Sequence, residues 1–208
     1  MANASENDRL VWIDCEMTGL DLGVDELCEI AIVVTDFDLK VLDPGFQVVI
    51  RPSERALANM NDFVTKMHRS SGLIDEIPNG VSLEEAERQS LEYIKRFAPQ
   101  AGKAPLAGNT IGTDRMFLAK YMPQLDEHLH YRSVDVSSIK ELSRRWFPRA
   151  YFQAPAKDGG HRALADILES IRELHYYRRA VFVPEPGPTS DEARDTAKDV
   201  VLKFADQL

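Results

Sequence analysis

The chain has 208 residues, which favours one large domain, and its 44% hydrophobic and 28% charged content is ordinary for a globular protein. It contains no apolar run of about 20 residues, and the N-terminus MANASENDR lacks the layout of a secretion signal, so a cytoplasmic protein with no membrane partner is expected. The net charge of −9 argues against the basic stripe with which proteins usually grip long nucleic acids. Either the chain does not bind nucleic acid, or it binds a short piece and metal ions supply the positive charge.

The first fifty residues predict an antiparallel meander of three strands. Apolar or alternating segments indicate strands at Leu10–Asp14, Cys28–Phe37 and Phe46–Arg51, with turn residues between them. Cys15 and Cys28 lie in or beside these strands. Their positions favour two buried thiols over a disulfide or a zinc site.

From about Ala56 helical segments alternate with strands. Ser82 stands three residues before Glu85, which is the pattern of a helix-capping box. The remaining predicted elements are a helix over Ser82–Phe97, a strand over Pro105–Asn109, a helix over Gly112–Met122, a strand over Tyr131–Val134, a helix from Asp135 to Trp146, a loop over Ala150–Gly160 and a helix over Arg162–Arg179. This order predicts an α/β fold in which helices flank a sheet of mixed strand direction.

The C-terminal part of the sequence predicts a separate element. Residues 184–188, PEPGP, read as a linker, and Thr189 with Glu192 forms a second capping box. The following residues carry one apolar stripe at helical spacing, which predicts a helix that docks on the domain or on a partner. We therefore expect a main domain over residues 1–183, followed by a linker and helix over residues 184–208.

Two carboxylates end the first strand. Asp14 and Glu16 are two residues apart, so their side chains share one face of the strand. A lone Asp-x-Glu pair is more often a pair of solvated acids, but here the preceding residues Val-Trp-Ile predict a buried strand. No basic residue lies within that strand, and buried carboxylates need opposite charge. A divalent cation would supply it, and oxygen ligands favour Mg²⁺ or Mn²⁺.

Three further residues could complete such a site. Asp114 lies near the start of a predicted helix, where an acid also complements the helix dipole. Asp166 stands among apolar helical residues, which makes a surface position less natural. His161 follows Gly159-Gly160 in a predicted loop, and its imidazole suits a general base near neutral pH, although an ordinary loop histidine is the alternative.

Together these residues resemble a known pattern. The set Asp14-x-Glu16, Asp114 and His161-x4-Asp166 is similar to the DEDDh exonuclease superfamily, and the segments WIDCEMTGLD, GNTIGTDRMF, HYRSVDVSSIKELSRRW and HRALADILESI resemble the oligoribonuclease family over about Leu10–Arg179. The resemblance implies a ribonuclease H-like fold. It also implies a 3′→5′ exoribonuclease that degrades very short oligoribonucleotides to nucleoside 5′-monophosphates at the end of RNA decay.

The resemblance further implies particular roles for residues. The four acids would bind two divalent cations, Mg²⁺ or Mn²⁺, with His161 as the general base. Leu20 and Tyr131 are expected to hold the bases of the substrate. A terminal 5′ phosphate is expected to bind to Thr110, Arg132 and Ser137, and His68 is expected to approach the substrate. Tyr131 is expected to be essential for catalysis, and in the implied homodimer Tyr131 and Arg132 complete the opposite site. Two positions depart from the family pattern: Phe63 where tryptophan is frequent, and Thr110 where serine is frequent.

Two other functions are compatible with some of these sequence features. A DNA exonuclease of the same superfamily would use the same acids, because the choice of sugar depends on contacts to the 2′-hydroxyl that the sequence does not reveal. A non-catalytic binding module could keep the fold without the chemistry, although the intact set of five residues disfavours it.

Overall fold

The computed structural model describes residues 8–156 and 162–205, apart from the side chain of Phe204. Five strands form one sheet in the order β3-β2-β1-β4-β5. Strands β1, β2 and β3 are antiparallel neighbours, whereas β4 and β5 run parallel to β1. The bounds are Leu10–Met17 for β1, Leu27–Thr35 for β2, Phe46–Val49 for β3, Pro105–Gly108 for β4 and His130–Asp135 for β5.

Helices lie on both faces of the sheet, which confirms the predicted α/β fold with a mixed sheet. Their bounds are Glu54–Asn59 for α1, Asp62–Ser70 for α2, Leu73–Glu76 for α3, Leu83–Phe97 for α4, Gly112–Tyr121 for α5, Pro123–His128 for α6, Val136–Trp146 for α7, Pro148–Phe152 for α8, Ala163–Ala180 for α9 and Ser190–Phe204 for α10. None of these described helices is long and apolar enough to span a bilayer.

Alternate residues of β1 enter two different apolar cores. Val11 and Ile13 belong to the core that also holds residues of α4, α5 and α6. Leu10 and Trp12 belong to the opposite core, which holds residues of α9. Because side chains alternate along a strand, Asp14 and Glu16 continue the face that carries Leu10 and Trp12. The fold thus directs both acids towards α9.

Most predicted elements are confirmed, with shifted ends. The meander of β1, β2 and β3 is present, and β1 extends beyond Asp14 to Met17, so that it contains both acids. The predicted loop from Ala150 is wrong at its start, because α8 covers Pro148–Phe152 with proline in its first turn. Helices α1, α2, α3 and α6 were not predicted, since four to nine residues give too short a periodic pattern.

The C-terminal helix begins as the sequence predicts but packs differently. The Thr189 hydroxyl accepts the Glu192 N–H, and the Glu192 carboxylate accepts the Thr189 N–H, which completes the capping box. The described side chains of α10 are exposed, including Val201 at 69% and Leu202 at 72%. The described side chains of α10 therefore do not pack on the domain, and of the two expected docking surfaces, docking on a partner stays a prediction.

Candidate active site

Three carboxylates from distant parts of the chain meet at one end of the sheet. Asp14 and Glu16 project from β1, and Asp166 projects from the first turn of α9. One oxygen from each lies within 4.8 Å of the others. Glu16 is buried and the other two are partly buried, so the cluster has the oxygen donors and the spacing that a hard cation needs.

The fourth predicted acid faces the same cavity. Asp114 lies in the first turn of α5 and is 7% exposed, and its Oδ1 accepts the backbone N–H of Cys15 at 3.0 Å. Asp114 and the other three acids line one cavity of about 330 Å³. The bond from Cys15 fixes Asp114 beside the β1 acids. The structure therefore brings all four predicted metal ligands around one space.

The acids strongly perturb one another. The pKa of Glu16 is raised to about 8, mainly by burial and also by the negative charges of Asp166, Glu29 and Asp114, against a lowering effect of Arg162. Burial also raises the pKa of Asp14 well above its ordinary value, with contributions from Asp114 and Glu16. Such mutual repulsion is what a bound cation relieves.

Asp114 shows the opposing influence of a hydrogen bond. The pKa of Asp114 is raised to about 6, because the effect of burial outweighs that of the Cys15 N–H, which stabilises the carboxylate and lowers the pKa. The donor set contains carboxylates rather than thiolates or imidazoles, which suits Mg²⁺ or Mn²⁺.

A buried ion pair anchors the helix that carries Asp166. Glu29 is fully buried on β2, and its Oε2 accepts the N–H of Ala163, the first residue of α9. Its Oε1 lies 2.9 Å from the Arg162 guanidinium, which also contacts Glu76 at 2.8 Å. These contacts tie β2, α3 and the start of α9 together, and thereby place Asp166.

Leu20 lies at the rim of the cavity in a loop that Asp25 holds. The two oxygens of Asp25 accept the Thr18 hydroxyl and the Asp21 N–H, both at 2.9 Å. A Cβ at Gly19 would stand 2.4 Å from Asp25 Oδ2, so only glycine allows this close approach. Leu20 is 75% exposed and lines the cavity, where its side chain is open to a ligand.

His68 occupies a different position from the one the sequence suggests. Its side chain is 0% exposed; Nε2 donates to the Met17 carbonyl at 2.8 Å, and Nδ1 lies 3.8 Å from Glu16 Oε2. The imidazole thus sits behind Glu16 rather than in the cavity. A direct contact with a substrate stays a prediction that this burial does not support, whereas the geometry suits a residue that orients Glu16.

Thr110 and Ser137 form a hydroxyl pair beside the cavity. Their side-chain oxygens are 3.0 Å apart, and both residues hydrogen bond to Asp135. Thr110 lines the cavity together with Asn109, whose Nδ2 donates to the Ser170 hydroxyl at 2.7 Å. The pair therefore offers polar groups at the edge of the acidic site.

Tyr131 and Arg132 lie apart from the cavity lining. Both are exposed on the edge strand β5, with the Arg132 guanidinium carbon 5.3 Å from the Tyr131 ring centre. In the described part of the chain, neither they nor Ser137 line the cavity that the four acids share. His161 falls in residues 157–161, which lie outside the described residues.

Sequence reasoning missed Glu29, Arg162 and Asp135 as parts of the site's framework. The signal for Glu29 was an acid inside the apolar run CEIAIVV, where burial requires a partner. Its partner Arg162 is 133 residues away, so no local pattern reveals the pair.

Comparison with known proteins decides the family. A model of the exonuclease family matches residues 11–174. An oligoribonuclease of Leifsonia xyli subsp. xyli is 70% identical over 205 residues, covering 99% of both chains. An oligoribonuclease of Streptomyces griseus is 59% identical over 191 residues, covering 92% of this chain and 95% of the relative.

The chain belongs to the oligoribonuclease family.

Solved structures agree with this assignment at the level of the fold. Exonuclease I from E. coli, in a zinc-bound complex with single-stranded DNA, matches with a TM-score of 0.64 at 13% identity over 82% of this chain. Exonuclease I from Methylocaldum szegediense matches with a TM-score of 0.59 at 18% identity over 83% of this chain. The chain spans 40% and 41% of those two chains. These comparisons confirm the family resemblance, the ribonuclease H-like fold and the prediction of a nuclease, and an oligoribonuclease-family member with this acidic cluster points to divalent-metal use.

Proposed function

We propose that the chain is a 3′→5′ exoribonuclease that degrades very short oligoribonucleotides, from dinucleotides upward, to nucleoside 5′-monophosphates at the end of RNA decay. The observation that carries the proposal is the convergence of Asp14, Glu16, Asp114 and Asp166 around one cavity, in a chain 70% identical to an oligoribonuclease. A cytoplasmic location stays a prediction.

The four acids fit two divalent cations. They supply carboxylate oxygens, and the raised pKa values of Asp14, Glu16 and Asp114 reflect burial and negative charges that cations would offset. When bound, such cations stabilise the negative charge that develops during phosphodiester hydrolysis. The choice between Mg²⁺ and Mn²⁺ and the number of ions belong to this proposal.

His161 is the proposed general base. Its place in the sequence pattern before Asp166 supports this role, and an imidazole can accept a proton from water at neutral pH. Replacing His161 with alanine should leave substrate binding nearly intact and lower turnover by about 10²–10⁴-fold. Near-normal turnover at saturating substrate would remove His161 from this role.

Recognition of both ends of the oligonucleotide would select short substrates. The exposed Leu20 supplies an apolar surface for a base, and Thr110 with Ser137 supplies hydroxyls for a terminal 5′ phosphate, to which Arg132 adds positive charge. Such local recognition agrees with a net charge of −9, because a short ligand needs no long basic track. The Arg132→Ala variant should then lose its preference for dinucleotides while longer RNA suffers less.

A homodimer is the proposed assembly. Tyr131 and Arg132 are exposed on an edge strand and do not line their own subunit's described cavity, which suits residues that complete the site of a second copy. Tyr131, 75% exposed, would hold a base of the substrate there and is the proposed catalytic contribution of the partner.

The proposed domain boundary falls at residue 183. The exonuclease match ends at residue 174, and the described side chains of α10 are exposed. Removing residues 184–208 should therefore leave the melting temperature and turnover of the remaining domain almost unchanged. A large loss of either would show that the linker and helix belong to the catalytic unit.

One experiment tests the proposed function and separates it from a second candidate, a DNA exonuclease. RNA and DNA of two, four and about twenty nucleotides, labelled at the 5′ end, would be incubated with the full chain and Mg²⁺, Mn²⁺ or EDTA. We expect metal-dependent release of mononucleotides from the 3′ end, fastest with the shortest RNA. Preference for DNA or for the longest substrate would contradict the proposal, and no hydrolysis with either metal would indicate a binding module.

A further inference from the structure

We propose that Asp135 is a positioning residue, which holds the Thr110–Ser137 hydroxyl pair in the arrangement that recognises the 5′ phosphate of a short RNA. This inference rests on the proposed function, which assigns that phosphate to the pair. Asp135 itself would touch neither the substrate nor a metal. Its role would be to fix two hydroxyls that come from different parts of the sheet edge.

The contacts of Asp135 exceed those of a helix cap. Asp135 is the last residue of β5 and the N-cap of α7, and its Oδ1 accepts the Ser137 N–H at 2.9 Å. That single bond satisfies the cap. The same oxygen also accepts the Ser137 hydroxyl at 2.8 Å and the Thr110 N–H at 3.0 Å. Thr110 is 25 residues away in the chain, so one carboxylate oxygen joins the ends of β4 and β5.

Thr110 needs this support because of its backbone. Its φ of +56° lies in the left-handed region, which a β-branched residue rarely adopts. Such conformations persist where the surroundings hold them, and they cluster at functional sites. Here the Thr110 N–H is held by Asp135 Oδ1 and by Ser137 Oγ, the latter at 2.5 Å. The constrained backbone places the Thr110 hydroxyl at the edge of the acidic cavity.

Asp135 also orients the hydrogens of the pair. A carboxylate can only accept, so the Ser137 hydroxyl donates its one hydrogen to Asp135. The Ser137 oxygen then accepts from the Thr110 hydroxyl, 3.0 Å away. Turning the Thr110 hydrogen towards a phosphate oxygen breaks only this last bond. The Thr110 hydroxyl is therefore the group that can donate to the phosphate, and the Ser137 hydroxyl, fixed by Asp135, holds it in place.

The test compares two substrates that differ only at the 5′ end. The kcat/KM of the full chain would be measured with Mg²⁺ on one dinucleotide carrying a 5′ phosphate and on the same dinucleotide carrying a 5′ hydroxyl. The ratio of the two values measures recognition of the phosphate. A residue needed only for folding would lower both values together and leave the ratio unchanged.

Two substitutions separate positioning from capping. In Asp135→Ser the hydroxyl still caps α7 but is too short to reach Thr110, so we expect the ratio to fall about tenfold through the lost hydrogen bonds. In Asp135→Asn an amide oxygen replaces Oδ1, and we expect the ratio of kcat/KM values to fall by less than about threefold. Ser82→Ala is the matched control, because Ser82 caps α4 away from the cavity by accepting the Glu85 N–H. It should lower the melting temperature and leave the ratio as in the wild type.

Each outcome supports or overturns the inference. A reduced ratio in Asp135→Ser with rescue in Asp135→Asn would support it. Equal losses of kcat/KM on both substrates, which leave the ratio unchanged, would show that Asp135 acts only as a helix cap. A wild-type ratio near one would also overturn it, since there would be no phosphate recognition to position. Failure of the proposed function looks different, because the wild type would then hydrolyse neither dinucleotide.

Discussion

Asp14 illustrates how one partly buried carboxyl group can serve binding at the expense of stability. It lies beside Glu16, Asp114 and Asp166, and without a cation their repulsion is poorly screened. A cation that binds only the folded state stabilises that state by linkage. Function and stability therefore place opposite demands on the same side chain, as is common at active sites.

Neutralising Asp14 should separate these demands. We expect Asp14→Asn to raise the melting temperature in EDTA near neutral pH, to reduce the further rise on adding Mg²⁺, and to lower turnover by about 10²-fold or more. Thermal melts with and without Mg²⁺ and initial rates on a dinucleotide measure these effects. Glu84→Gln, an exposed substitution on α4, is the control and should behave as the wild type. A lower melting temperature for Asp14→Asn in EDTA would contradict the view that Asp14 destabilises the metal-free fold.

Glu16 gives the site a pH dependence in the absence of metal. Its pKa in the folded chain is about 8, compared with an ordinary value of 4.5, so the folded state holds a proton that the unfolded chain releases. The stabilisation from this proton is fully present below about pH 4.5 and is lost as the pH rises to about 8. Across that window the stability of the wild type should fall relative to that of Glu16→Gln.

Melts of both proteins in EDTA across the same pH window would measure this difference. Other groups titrate in both proteins and cancel in the comparison. A difference in melting temperature that stays constant, or that moves in favour of the wild type as the pH rises, would argue against a protonated Glu16.

At the scale of elements, the position of α9 depends on Glu29. The helix presents Asp166 to the cavity, and its first N–H and the preceding Arg162 both bind Glu29 on β2. Removing one partner of a buried pair leaves the other charge without compensation. The site's geometry is therefore linked to a contact that lies outside the cavity lining.

Glu29→Gln should destabilise the fold and weaken the site together. We expect a loss of about 2 kcal/mol, less than for a fully buried pair because Arg162 keeps some exposure, along with weaker metal binding. Urea unfolding and a Mg²⁺ titration of the melting temperature would measure the two effects. Asp38→Asn, which breaks an exposed pair with Arg178, should cost no more than about 1 kcal/mol and leave metal binding unchanged. Unaltered metal binding in Glu29→Gln would show that the contacts of Glu29 with Arg162 and Ala163 do not position Asp166.

The elements also show what a single sequence can reveal. Residues two apart on a strand share a face, so the pairing of Asp14 with Glu16 could be predicted. The apolar residues around Asp166 in the predicted helix marked this acid as unusual. The contacts that hold these residues join distant positions, such as Glu29 with Arg162 and Asp135 with Thr110. Local periodicity carries no information about such pairs. The burial of His68 escaped prediction for the same reason, since it depends on how α2 packs behind β1.

At the scale of the whole molecule, the proposed homodimer predicts complementation between inactive subunits. A Tyr131→Ala subunit retains its four acids but has no tyrosine to place in the partner's site. An Asp14→Asn subunit retains Tyr131 but lacks one acid in its own site. If Tyr131 completes the partner's site, random mixing should restore about a quarter of wild-type activity, because half of the dimers are mixed and each has one intact site. Rates before and after unfolding and refolding the mixture measure this recovery. No recovery would place Tyr131 in its own subunit's site or outside both sites.

The most direct measurement is the anomalous scattering of crystals soaked in Mn²⁺, because the proposed activity requires cations held by four acids from β1, α5 and α9. We expect anomalous peaks in the cavity within bonding distance of oxygens from Asp14, Glu16, Asp114 and Asp166. Mn²⁺ bound only elsewhere, or an empty cavity at a concentration that supports hydrolysis, would contradict this expectation.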